Sequence, residues 1–159
     1  MSAVKAIPEG YHSITPSLVC KGAARAIEFY KQAFGALEKG VMTGPDGKVM
    51  HAELRIGDSL FMLADEFPEF GSMSPQSTGG SGAGLHIYTD DVDSAFDRAI
   101  KAGGVVEMPV SDMFWGDRYG KLVDPFGHKW SIATHKRDMS MEEMEAAQKE
   151  FMSQMPKSA

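Results

Sequence analysis

Apolar residues recur along this chain in two rhythms, and the rhythms alternate in a fixed order. A strand-like ITPSLVC (residues 14–20) precedes a helix-like stretch from Gly22 to Phe34, where Ala23, Ile27, Tyr30 and Phe34 recur on one helical face. Gly35 reads as its C-terminal stop. LEKGVMT, VMHAELRI and SLFMLAD follow as three strands, joined by the hairpin-suited turns GPDG and IGDS. The stretch EFPEFGSMSPQSTGGSGAG is rich in Gly, Ser and Pro and reads as a connector, with GGSGAG as its flexible part. The order then returns. LHIYTD is a strand. DVDSAFDRAIKAGG is a helix with Val92, Ala95, Phe96 and Ala99 on one face and Asp90 or Asp91 as N-cap. VVEMPV, FWGDRYGKLVD and, past the turn DPFGH, KWSIATH are three further strands.

The segments AIEFYKQAFGAL (26–37) and AFDRAIKAGGVV (95–106) agree in apolar–polar order and in a terminal Gly after a one-residue gap. The pattern βαβββ is thus written twice, at a period of about 70 residues. This predicts an α+β chain forming one structural domain: a first module over 12–65, a linker over 66–83, a second module over 84–136 and a C-terminal helix over 139–155. Ser140 and Glu143 form a capping box for that last helix, and Met141, Met144, Phe151 and Met155 fall close to one face. A Met-rich stripe adapts to partners, so this helix is expected either to clamp a second subunit or to pack on its own chain.

The strand within HAELRIGDSLFML carries an unusual face. Ala52, Leu54 and Ile56 share one side, and His51, Glu53 and Arg55 share the other, because side chains alternate along a strand. An unpaired charge buried against helices costs several kcal/mol, so the apolar side belongs to the helices and the polar row to a solvent-accessible cleft. Three readings of the row stay open. Glu53 and Arg55 pair on the rim with His51 hydrogen-bonded beside them, or the row touches a non-metal ligand, or His51 and Glu53 join His86 around a rebuilt metal site, although strand neighbours two apart lie roughly 6.5–7 Å from each other.

Charge narrows the partners. A formal net charge of -6 argues against nucleic acid, which requires a basic surface. No apolar run approaches the ~20 residues of a membrane span, and the first residues lack the apolar stretch of a signal peptide. The single cysteine, Cys20, excludes an intramolecular disulfide, has no nearby mark of a nucleophile and reads as structural. The expected compartment is the cytoplasm. No phosphate loop, GxSxG elbow or HExxH motif occurs.

Paired βαβββ modules, with AIEFYKQAFGA in the first and VDPFGHKW closing the second, resemble the vicinal oxygen chelate superfamily of glyoxalase I, bleomycin-resistance proteins and extradiol dioxygenases. HAELRIGDS, FWGDRYG and DPFGHKWSIATH together resemble its PhnB-like branch, over residues 12–136. The resemblance implies that each module curls a four-stranded sheet around a cleft, with helices outside, and that the chain forms a homodimer. It also implies a metal ligand on the first and last strand of each module, which places the four positions at Thr15, Met62, His86 and Ser131. Only His86 is a good ligand, and a divalent metal needs three or more. No cofactor is therefore favoured, a divalent metal remaining possible.

The remaining candidates lie in the second module. Trp115 and Tyr119 share one face of FWGDRYG, with Phe114 and Arg118 on the other. Trp115 beside Arg118 suits a planar polar ligand by stacking and bidentate hydrogen bonds, while the plainer reading makes Phe114 and Trp115 core and pairs Arg118 with Asp117 or Asp124. Gly116 and Gly120 mark a bulge or close backbone approach. Tyr88 shares a face with His86 and presents its hydroxyl to the cleft. Trp130 and Ile132 read as core, His128 as a surface turn residue, and His12 and His135 carry no pattern.

The expected function is binding of a small polar or aromatic molecule by His51, Glu53, Arg55, His86, Tyr88, Trp115 and Arg118, without the usual metal tetrad, as in drug or metabolite sequestration and antibiotic resistance. The alternative is a lyase, isomerase or dioxygenase in which His51, Glu53 and His86 hold a metal, or His51 and Glu53 act as general base. A chiefly structural module has little support, because such a role needs no charged cleft.

Overall fold

The computed structural model describes residues 4–156. Strand β1 (Ser17–Cys20), helix α1 (Ala23–Phe34) and strands β2 (Leu37–Thr43), β3 (Val49–Ile56) and β4 (Ser59–Asp65) form the first βαβββ unit. Its sheet runs β1-β4-β3-β2, with β1 parallel to β4 and the other pairs antiparallel. After a connector holding the short helix α2 (Pro75–Thr78), the pattern repeats. Strand β5 (Gly84–Tyr88), helix α3 (Val92–Ala102) and strands β6 (Val105–Asp112), β7 (Asp117–Val123) and β8 (Lys129–His135) give a second sheet in the order β5-β8-β7-β6. Helix α4 (Met141–Gln154) ends the chain, started by the expected capping box of Ser140 and Glu143. The expected α+β architecture is the one observed.

Each module is closed by a side chain at the end of its last strand. The Gly22 and Ala23 N–H groups, at the start of α1, donate to Asp65 Oδ1 at 3.0 and 2.9 Å, and Val49 N–H donates to its other oxygen at 2.8 Å. One buried carboxylate thus supplies the acceptors that the helix N-terminus lacks. In the second module Val92 N–H donates to Thr134 Oγ1 at 2.9 Å, while Asp91, one of the two expected caps, accepts from Ser94 N–H. The offset that carries Asp65 onto Thr134 also carries Ser17 onto His86 and Met62 onto Ser131, and these last four are register partners in their sheets. The repeat is therefore structural as well as textual.

A single core joins the modules. Helix α1 packs on α3, and the helix-bearing faces of both sheets contribute to one apolar cluster that includes Ala52, Leu54, Leu63, Leu122, Trp130 and Ile132. Buried Asp124 anchors the seam, accepting from Tyr30 Oη at 2.7 Å, Trp130 Nε1 at 2.9 Å and the backbone of Phe126 and His128. His128 corrects an expectation. The turn residue is 7% exposed, and its Nε2 donates to the Val19 carbonyl at 2.9 Å, because the Asp124 bonds fold the DPFGH turn inward against β1. Cys20 is fully buried beside it, and burial raises its thiol pKa to about 12, so it is no nucleophile.

The connector carries more order than a flexible linker. Glu66 accepts from Ser74 N–H and Oγ and from Ser77 Oγ, and Ser74 is fully buried. With the helices turned inward, the opposite face of each sheet is left open. That face carries the side chains considered next.

Candidate functional site

Alternation along β5 points Leu85 and Ile87 toward the core and leaves His86 and Tyr88 on the open face. Ser131, beside His86 in the register, meets it at 2.7 Å between Oγ and Nδ1. Loss of solvent around His86 pushes its pKa down, against the opposing charge of Asp117, so the ring is neutral near pH 7. On β7 the open-face positions are Asp117, Tyr119 and Lys121. Gly120 lies on the other side, where a Cβ would stand 2.9 Å from the Phe96 ring. That is the close approach expected of this glycine.

Asp117 organises the second module's open face. It is 6% exposed and accepts from Tyr88 Oη at 3.3 Å, Trp115 Nε1 at 3.2 Å and His135 Nδ1 at 2.7 Å. The other His135 nitrogen meets Asp138 Oδ1 at 2.9 Å, and these carboxylates, Asp138 foremost, hold the His135 pKa above its ordinary value. Gly116 makes the turn before β7 with φ 97, a left-handed conformation, and a side chain there would collide with the Arg137 carbonyl. Its own carbonyl accepts from Lys136 and Arg137 N–H, which staples this turn to the segment leading into α4.

The first module's open face differs. His51 Nε2 meets Glu53 Oε1 at 3.3 Å. The Tyr11 hydroxyl and the His51 ring beside Glu53 hold its carboxyl below the ordinary range. The Tyr11 hydroxyl is shut off from solvent and has no partner at hydrogen-bond distance among the described residues. Arg55 is exposed and forms no ion pair among the described residues. The rim pair is thus His51 with Glu53, rather than Glu53 with Arg55.

Between the modules lies a cavity of about 750 Å³, walled by residues 10–16, the β3–β4 turn and β5. Ile14, Ile56, Leu60, Leu85 and Ile87 supply apolar lining, and His12, Thr15, Asp58, His86 and Tyr88 supply polar groups. Few convergent polar groups over an apolar lining is the usual make-up of a small-molecule site.

Of the seven residues expected to bind ligand, His86 and Tyr88 line this cavity, and Trp115 is tied to Tyr88 through Asp117. His51 and Glu53 stand together on the first module's face. Arg118 is turned away. It shares the helix side with Gly120 and Leu122, where Asp93 on α3 takes it bidentately at 2.8 Å and Asp112 adds a bond at 3.2 Å. Asp117 and His135 carried no such expectation. Two-residue alternation is the signal for them, since 117 shares a face with 119, and 135 with 131.

The metal implied by the resemblance does not fit these donors. His51, Glu53 and His86 belong to faces of different modules, and no three His, Cys, Asp or Glu side chains among the described residues are grouped to hold an ion. At the four implied positions only His86 is an imidazole, and Ser131 is engaged by it. The register also corrects the placement of one of them. Thr15 precedes β1 and corresponds to Gly84, whereas the counterpart of His86 is Ser17.

Relatives in sequence and in structure share this fold. A family model described as the Glyoxalase/Bleomycin resistance protein/Dioxygenase superfamily matches residues 11–132. The Mycobacterium tuberculosis protein Rv0887c is 46% identical over 138 residues, covering 85% of this chain and 81% of its own. The crystal structure of the Arabidopsis thaliana At5g48480 product superposes with a TM-score of 0.63 at 30% identity, over 77% of this chain and 98% of that one. PA1353 from Pseudomonas aeruginosa gives 0.64 at 25% identity, over 80% and 100%.

Proposed function

The chain belongs to the glyoxalase/bleomycin resistance/dioxygenase superfamily, and from that premise we propose that it binds a small organic molecule between its modules, without the usual metal tetrad. The cavity of about 750 Å³ with His86 and Tyr88 on its wall is the observation that carries this reading. An apolar lining supplies affinity by burial, and a neutral imidazole, a phenol and the hydroxyl of Thr15 supply orientation. The expected role is sequestration of a drug or metabolite. No helix among the described residues is long and apolar enough to cross a membrane, which accords with a ligand met in water. A homodimer belongs to the same proposal: the first module's open side exposes Leu37 and Met42, opposite Arg55 and His51 in the register, a surface that a second copy would cover.

A thermal-shift screen of small molecules, run on the wild type and on Ile14→Trp, tests the proposal. Ile14 stands at the mouth of the cavity and is 88% exposed, so the larger ring narrows the entrance without disturbing the core. Compounds that raise Tm in the wild type are expected to lose that effect in Ile14→Trp. Equal shifts in both proteins place the ligand elsewhere and end the reading. Metal content by plasma mass spectrometry, with a His51→Ala, His86→Ala double variant, is expected to be well below one ion per chain. One tightly held ion lost in the double variant overturns the metal-free part.

An enzymatic reading rests on one observation: His86 is a neutral imidazole held by Ser131 on the cavity wall, as a general base must be. Its test is proton exchange at an acidic C–H of any compound found to bind. Wild-type exchange lost in His86→Gln supports it, and equal exchange removes it.

A further inference from the structure

Six rings follow one another across the second module's open face. Phe151 of α4 meets Phe114 at 5.2 Å between centroids, Phe114 meets Trp115 at 5.1 Å, and Trp115 meets Tyr119 at 5.4 Å. Tyr119 then stacks with His86 at 5.8 Å, and His86 meets Tyr88 edge-on at 4.5 Å. All six keep exposed or half-exposed surface. Two of them are fixed from beneath by buried Asp117, which takes both the Trp115 N–H and the Tyr88 hydroxyl. The row opens into the cavity at His86 and Tyr88 and ends on a helix outside the stretch that the family model matches.

Helix α4 sets the far limit. It has no buried residue, so it adds nothing to the core. A 14-residue helix is marginal by itself. The capping box starts the helix, and the staple from Gly116 to Lys136 and Arg137 and the Phe151–Phe114 contact place it beside the row.

We infer that this row, with α4 as its far wall, is the binding surface for an extended planar aromatic molecule of several fused or linked rings. Resting on the binding reading above, the inference adds the class of ligand and a residue outside the family's matched region that touches it. A single ring fits within the cavity at His86 and Tyr88. A molecule of several rings lies along Tyr119, Trp115 and Phe114 and reaches Phe151. Offset and edge-on contacts with such rings add affinity beyond burial. His86, kept neutral, stacks without bringing a charge to the aromatic face.

Isothermal titration calorimetry on the full chain tests this with matched probes. Proflavine and 9-anthracenecarboxylate carry three fused rings of opposite charge, and 4-aminopyridine and benzoate are their one-ring counterparts. The three-ring probes are expected to bind about tenfold more tightly than the one-ring probes whatever the charge, as two or three aromatic contacts allow. Phe151→Leu, which keeps an apolar side chain on the helix, is expected to weaken three-ring binding about threefold to tenfold and to leave one-ring binding unchanged. Tryptophan quenching by the three-ring probes is expected to fall in Trp115→Phe, leaving only the part that comes from Trp130, which is 2% exposed on the cavity wall.

Equal affinity for one and three rings, or three-ring binding untouched in Phe151→Leu, overturns the inference. One-ring binding abolished in Ile14→Trp under those conditions leaves the cavity reading standing alone. Absence of binding by all four probes overturns the aromatic inference, while non-aromatic hits lost in Ile14→Trp preserve the cavity. Sedimentation that turns from dimer to monomer in Phe151→Leu assigns α4 to a second copy and likewise overturns it.

Discussion

The two modules share a frame and differ in what they hang on it. In both, a side chain at the end of the last strand caps the helix, but Asp65 collects three backbone N–H groups where Thr134 collects one. In both, the open face alternates with the core face, but the first presents a loose His51–Glu53 pair and the second a row of rings over buried Asp117. Strand alternation and the core constrain the inward positions in the same way twice. The outward positions are free of that constraint, and there the copies have become different surfaces. A site built on this fold is therefore best sought where equivalent residues disagree.

Removing the caps gives the largest expected effects. Asp65→Ala leaves three N–H groups without their acceptor, two of them at a helix start, and is expected to cost about 3 kcal/mol or more. Thr134→Val removes one such bond and is expected to cost about 1 kcal/mol. Urea denaturation of the two variants measures the difference, and equal losses would show that the caps carry the same weight. On the open faces, Asp117→Ala strands three donors and is expected to cost about 2 kcal/mol, with loss of the fixed Trp115 orientation visible in near-ultraviolet dichroism. Glu53→Ala, at a side chain 36% exposed, is expected to stay within about 0.5 kcal/mol. A Glu53 loss matching that of Asp117 would erase the contrast between the faces.

These contrasts also separate what the sequence makes legible from what it does not. LEKGVMT, VMHAELRI, SLFMLAD and KWSIATH coincide with β2, β3, β4 and β8, because turn residues flank each run and alternation marks its faces. Ala52 and Leu54 are buried and His51 and Glu53 are not, as alternation requires. The first strand begins at Ser17 rather than Ile14, since Pro16 has no N–H to donate and joins the sheet only through its carbonyl, which accepts from Met62 N–H. His128 was not legible as buried, because its acceptor, the Val19 carbonyl, lies in the other module and only the folded seam brings them together. Arg118 was half legible: alternation separates it from Trp115, yet its partner Asp93 comes from α3 and appears only once that helix is packed. Counterparts between modules required the register itself, which moved the equivalent of His86 from Thr15 to Ser17.

The smallest expected effects come from another equivalent pair, Glu66 and His135, each just past or at the end of a last strand and each pinning the segment that follows. Ser74 and Ser77 hold the Glu66 carboxyl down to about 2, below its ordinary 4.5. Its contribution is therefore present above pH 4.5 and lost as the pH falls toward 2. Asp138 and Asp117 raise His135 above its ordinary 6.5, so its contribution is full below pH 6.5 and lost as the pH rises through the raised value. The two modules thus weaken at opposite ends of the pH scale. Stability followed by urea midpoint from pH 2 to 9 is expected to flatten on the acid limb in Glu66→Gln and on the alkaline limb in His135→Gln. Both groups face solvent, so each change is small and is read only as a difference from the wild-type curve. Flattening of the same limb by both variants would mean that one module's connector governs the other, and that the copies are coupled beyond their shared core.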